Sequence, residues 1–283
     1  YCNTLFFIIH PFKTGKLLIM KFSLVPFLFI INFCFGQQWQ AEVMVGVSGY
    51  NGDLTQKRLS FKTLKPAVNL NVKYDVDNRL ILRAGIAWAT VTANDKNNAQ
   101  ADLKMRNLNF QSTLLEGSLC AEVNVFEPGI FYSYPYLFGG IGVFHFNPFT
   151  YDKENKKTYL HPLSTEGQGL PEYPRRKIYN LTQFCLPFGG GWKININEKW
   201  DIIYEIGARI LFTDYLDDVS TSYVNPQTLL MHKGEKAVEL AFRQEPASGS
   251  NLPLGGETRG NPGVKDWYFF NGIKLLVHLG KDE

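Results

Sequence analysis

A chain of 283 residues that is 45% hydrophobic, 14% aromatic and only 19% charged, with 25 glycines, has the make-up of a β-rich protein and not of a helical one. Its formal net charge of +3 comes from residues 1–36, which hold Lys13, Lys16 and Lys21 and no acid; the remainder balances 26 basic against 26 acidic residues, which excludes a nucleic-acid footprint. Of four cysteines only Cys120 and Cys185 lie beyond the N-terminal region, too few for a disulfide scaffold and without metal-ligand spacing.

The N-terminal stretch "KLLIMKFSLVPFLFIINFCFGQQWQ" sets Lys16 and Lys21 before an apolar core from Phe22 to Phe35, then small residues three and one before Gln37. That order predicts a signal peptide over 20–36, cleaved before Gln37 and sending the chain out of the cytoplasm. Residues 1–19 read as an over-extended gene start ahead of Met20, and 37–283 as one domain.

Period-two alternation then recurs along the chain. The first candidate strand, 40–50, ends in "YNGDL", a tight turn. In the second, 65–75, Val68, Leu70, Val72 and Tyr74 oppose Asn69, Asn71 and Lys73; in the third, 79–90, Leu80, Leu82, Ala84, Ile86 and Trp88 oppose Arg83 and small residues. Candidates four and five run over 107–125 and 133–146. The sixth, 178–196, contains "PFGGGWK", where Pro187 cannot donate to a ladder, so a bulge is expected. In the seventh, 199–212, Trp200, Ile202, Tyr204, Ile206, Ala208, Ile210 and Phe212 form one face and Asp201, Glu205 and Arg209 the other. The eighth, 266–279, repeats that pattern with Lys274 and His278 on the polar side.

Connections alternate between short and long, the last long one spanning about fifty residues. An even strand count, strands near ten residues and loops this unequal predict an all-β fold: an eight-stranded antiparallel transmembrane barrel of the bacterial outer membrane, with short periplasmic turns and long extracellular loops. Trp39, Trp192 and Trp200 fall at the short-turn end, and Trp88 and Trp267 at the long-loop end, as two interfacial levels of aromatics require. The competing architecture is a secreted sandwich or lipocalin-like barrel, whose apolar face points inward. In the membrane arrangement Glu42, Lys73, Arg83, Glu116, Glu122, Lys193, Asp201, Glu205, Arg209 and Lys274 face the interior, which in an eight-stranded barrel is just wide enough for side chains to fill.

Catalytic chemistry finds little support. His145 and His278 lack a serine partner by spacing; "HPLSTEGQG" lacks the Lys-Ser/Thr of a phosphate loop; "TDYLDDVS" lacks the alternating ligands and glycine of a calcium loop. No catalytic residue, metal or cofactor is expected. Asp214 is expected to mark where the chain leaves hydrocarbon for water, with Asp217 and Asp218 accepting local backbone hydrogen bonds.

The ordered set "GYNGDL", "PYLFGGIGVFHFNP", "HPLSTEGQGLPEY", "LPFGGGWKI" and "TDYLDDVSTSYV" resembles the PorG-like family of outer-membrane barrels, also described as a domain of unknown function, over about residues 40–280. Its positions here are Gly52, Asp53, Asn147, Pro148, Glu166, Gly167, Gly169, Asp214, Tyr215, Asp217 and Asp218. The resemblance implies a non-enzymatic component of the type IX protein secretion machinery, set among outer-membrane lipid and lipopolysaccharide and associated with a periplasmic ring of PorK- and PorN-type proteins. "QQWQAE" and "GKDE" at the two ends are the contact candidates; the alternative role is surface binding or adhesion through loops 147–177 and 213–265.

Overall fold

The computed structural model describes residues 39–55, 63–244 and 253–279; the expected leader, 1–36, lies outside them. Eight long strands make the barrel: β1 (Trp39–Asn51), β2 (Lys65–Asp75), β3 (Leu80–Asn94), β4 (Asn109–Asn124), β5 (Ser133–His145), β8 (Thr182–Asn195), β9 (Trp200–Leu211) and β10 (Trp267–Leu279). Each pairs antiparallel with its neighbour, and β1 pairs with both β2 and β10, so the sheet closes and leaves no edge. The loops are built, not bare. They carry a hairpin of β6 (Phe149–Tyr151) and β7 (Lys157–Tyr159) that adds to β4, and helices α1 (Ala101–Arg106), α2 (Pro226–Lys233) and α3 (Glu235–Ala241).

The pleat decides which way the barrel faces. Along β2, Val68, Leu70 and Val72 are exposed while Asn69, Asn71 and Lys73 are buried; along β9, Ile202, Tyr204, Ile206 and Ile210 are exposed while Asp201, Glu205 and Arg209 are buried. A continuous apolar exterior around a charged interior has no stable arrangement in water, and it is the arrangement that hydrocarbon requires. The apolar-inside sandwich and lipocalin alternatives are thereby excluded. Above Trp88 both faces of β3 are covered, with Ala89, Val91 and Ala93 fully buried, so the strand has left the lipid band and is clasped by the extracellular loops.

The expected bulge at Pro187 is absent. On the β9 side the register runs unbroken through Leu186–Ile210 and Pro187–Arg209. On the β5 side Gly139 opposes Phe188 and Gly142 opposes Cys185, so no residue is inserted, and the ladder simply lapses at the two positions between. A proline in a closed barrel is thus accommodated by missing pairings, without the twist a bulge would add.

Candidate functional site: a charge-filled interior beneath a polar cap

Inward parity brings the predicted interior charges together. Glu122 on β4 is the hub: it lies 3.0 Å from Lys73 on β2, 2.7 Å from Arg83 on β3 and 3.2 Å from Lys193 on β8. Glu42 on β1 meets Lys73 at 2.5 Å and Lys274 on β10 at 2.8 Å. Glu205 on β9 meets Arg83 at 2.7 Å and Lys274 at 2.5 Å, and accepts the Tyr136 hydroxyl. Every one of these charged side chains is 3% exposed or less. Towards the loops, Arg209 pairs with Glu116 at 3.0 Å and the Tyr268 hydroxyl donates to the same carboxylate; towards the turns, Asp201 holds His278 at 3.1 Å. Such pairs persist away from water only because nearly every cation has a carboxylate within reach, often two. Aromatic rings fill the gaps, with Arg83 over Phe138 at 4.3 Å and Arg209 over Phe270 at 4.0 Å.

The tryptophans lie on the outer wall. Trp88 and Trp192 are about half exposed, while Trp39, Trp200 and Trp267 are partly covered by neighbouring side chains. Exposed His145 touches Thr182 at 3.0 Å, and no cluster of three metal-ligating side chains occurs among the described residues. Cys120 and Cys185 are free and buried.

The three aspartates depart from expectation. Asp214, Asp217 and Asp218 do not meet water; all three are buried in a polar knot under the loops. One expected contact exists, Asp217 accepting the Val219 amide at 2.9 Å. The others are long-range: Asp217 takes the Tyr50 hydroxyl at 2.5 Å, while Asp218 takes Thr165 at 2.5 Å and Tyr179 at 2.7 Å. Asp214 takes Ser220 at 2.8 Å. The physical reason is coverage, since Leu216 and Val219, on either side of Asp217 and Asp218, and the ring partners Tyr50 and Tyr179 belong to the main buried apolar cluster, with Tyr215 packed against it.

Glu166 is the second hub. It accepts the Ser220 amide at 3.0 Å, the Thr221 amide at 3.0 Å, the Thr221 hydroxyl at 2.7 Å and the Arg259 guanidinium at 2.9 Å. Gly167 and Gly169, with φ of 74° and 78°, make the reversal that returns the chain beneath it, a conformation β-carbon-bearing residues avoid. Asp53 accepts the Asn261 amide, Gly52 packs against Tyr50 and Asp266 with no room for a Cβ, and Tyr215 stacks on Tyr179. Asn147 and Pro148 stand apart, bonding the loop wall at Ser112 and Leu160. Tyr50, Arg259 and Asp266 carry this site and were not anticipated; their partners lie as many as 216 residues away, so no local pattern marks them.

Tyr50 has one hydroxyl hydrogen but lies 2.5 Å from Asp217 and 3.0 Å from Asp266. The hydroxyl can donate fully to only one of them, so a proton held on the other carboxyl satisfies both contacts by donating to the phenol oxygen. Burial drives both well above the usual carboxylate range, with Asp53 adding repulsion at Asp217 and Asp217 adding it at Asp266. Burial likewise raises Asp214 to about 7 and Asp218 to about 6. A carboxyl whose folded pKa is raised contributes stability that is complete below about pH 4 and is lost as pH rises through the folded value. The cap is therefore tightest in acid and loosens between about pH 4 and 7 and beyond. Hydrogen-exchange protection factors at the Leu216, Val219 and Ser220 amides, which donate to Asp266, Asp217 and Glu166, should fall at least about tenfold between pH 5 and pH 8.5. A flat profile would contradict the shared proton.

Closed sheet, lipid-facing exterior and filled polar interior together define an eight-stranded outer-membrane β-barrel. The chain belongs to the family described as Domain of unknown function (DUF6089), which matches residues 19–233. Among solved structures it is similar to neisserial surface protein A, at 7% identity over 85% of this chain and 97% of that one, with a TM-score of 0.42. It is similar also to a major outer membrane protein from Thermus thermophilus, at 11% identity over 84% and 98% with a TM-score of 0.41. OprG from Pseudomonas aeruginosa matches at 10% identity over 86% and 97%, with a TM-score of 0.36. No curated protein matches.

Proposed function

We propose that this barrel is a non-enzymatic accessory of the type IX secretion machinery, held in the outer membrane and bound at its periplasmic end to a ring of PorK- and PorN-type proteins. The observation that carries a non-transporting role is the interior, where five acids and five bases pack within the bore. A barrel so filled conducts nothing of size and leaves function to its two rims. The secretion assignment itself rests on the ordered motif set, from "GYNGDL" through "TDYLDDVSTSYV". Of the suggested contact segments, Trp39–Glu42 are part of β1, with Gln40 and Glu42 buried inside, so they offer no free tail; residues 37–38 and 280–283 lie outside the described chain. Deleting the gene should leave type IX cargo inside the cell.

Adhesion is the second reading, favoured by one observation: the extracellular loops fold into a fixed, cross-bonded cap suited to presenting a surface. Unchanged secretion with lost surface binding would select it. In planar bilayers, the purified barrel should give no stable conductance steps; regular steps would overturn the filled bore.

A further inference from the structure

The periplasmic mouth of the barrel is a cup of about 790 Å³ with two unlike walls. One is apolar, made by Ile130, Phe131 and Tyr132 from the turn between β4 and β5, with Ile130 and Tyr132 67% and 69% exposed. The other is acidic, with Asp75, Asp77 and Glu198 on the rim and Asp201 at the floor. The two basic side chains that line it are already engaged: Lys193 donates to Glu122 and Asn124, and His278 is held by Asp201.

Asp75 differs from every carboxylate deeper in the bore. Both its oxygens accept the Gln40 amide at 2.8 Å, and it forms no ion pair among the described residues. Gln40 is 4% exposed, lines the cup, and its carbonyl Oε1 has no donor. His278, Lys193 and Lys73 act on Asp75 only from a distance, so a buried acceptor without a donor beside a carboxylate without a direct ion pair leaves room for one more donor, a guanidinium or ammonium.

We propose that this cup is the docking site for a cationic segment of a periplasmic polypeptide, an arginine or lysine beside an apolar side chain. The cation sits between the Asp75 carboxylate and the Gln40 carbonyl oxygen, and the apolar group lies on Ile130 and Phe131. Charge complementarity selects this occupant, because the carboxylates Asp75, Asp77 and Glu198 line the rim while the basic side chains in the lining, Lys193 and His278, are turned to partners of their own. The assignment rests on the reading that the periplasmic rim meets a protein, and specifies how.

The test uses the full chain in micelles with acetyl-Phe-Arg-Phe-amide as probe and acetyl-Phe-Glu-Phe-amide as control, followed by NMR. The arginine peptide should shift the Gln40 side-chain amide and the Ile130–Tyr132 backbone. Asp75→Asn should weaken its binding about tenfold or more while keeping the heat-dependent gel mobility of a folded barrel. Equal binding of the glutamate peptide, unchanged affinity in Asp75→Asn, or no shift at about 1 mM peptide would overturn the proposal. Binding seen only after removal of residues 280–283 would make the chain's own end the occupant, and would overturn it as well. Normal secretion in cells lacking the protein would refute the secretion role and leave peptide binding standing; absent peptide binding alongside blocked secretion would refute the cup alone.

Discussion

Glu122→Gln is expected to cost about 3–5 kcal/mol of barrel stability, the range for removing one partner of a buried ion pair. The substitution keeps the shape and removes the charge that Lys73, Arg83 and Lys193 share. Three cations would then stand in a bore with less compensation, Arg83 and Lys73 keeping only Glu205 and Glu42. Lys193 would keep the neutral Asn124 and the face of the Tyr136 ring at 4.6 Å, but no carboxylate in direct contact. Against a typical total of about 5–15 kcal/mol, the loss should appear as a lower urea midpoint in micelles and as loss of the heat-modifiable band at moderate temperature. Asp102→Asn, on the exposed face of α1, supplies the comparison and should stay within about 0.5 kcal/mol. A Glu122→Gln barrel as stable as the parent would mean that the interior charges are not mutually supporting.

The second large effect belongs to the cap. Glu166→Ala removes five hydrogen bonds at once and leaves the buried Arg259 guanidinium without its carboxylate partner, holding only the Asp218 carbonyl and with no acceptor at Nε. Expected is a local loss of about 3–5 kcal/mol, confined to the loops because Glu166 touches no barrel charge. Trypsin should cut the variant within 146–181 and 212–266 while the strands keep their heat-dependent mobility. Cap and barrel would then be separate cooperative units; simultaneous collapse of both would show them to be one.

The barrel was legible in the sequence because each strand states its two faces within ten residues. "PAVNLNVKYD" and "WDIIYEIGARILF" separate lipid side from bore side by parity alone, and the hydrocarbon boundary forces that parity to be strict. The same parity brought Glu122 to Lys73 across 49 residues, since a narrow bore leaves inward charges few other neighbours. The cap was not legible. "TDYLDDVS" looks like a solvated exit because its partners, Tyr50, Thr165, Tyr179 and Asp266, sit on other loops and strands. Nothing in the local spacing tells a buried aspartate from a wet one. Pro187 misled for a related reason: the local rule asks for a bulge, while the neighbouring strands fix the register on both sides.

Tyr50 stands near the top of β1 and Asp266 directly before β10, the two strands that zip the sheet shut. Their contact spans 216 residues of chain, so the loop-closure entropy for it must be met before any reward is felt. Until β1 and β10 meet, Asp217 and Asp266 have no phenol between them, and the loops have nothing to settle on. Maturation of the outer face is thereby chained to completion of the wall. A loop-directed antibody that recognises only the ordered cap would distinguish finished molecules from those still being inserted, and so serve as a clock for assembly in living cells.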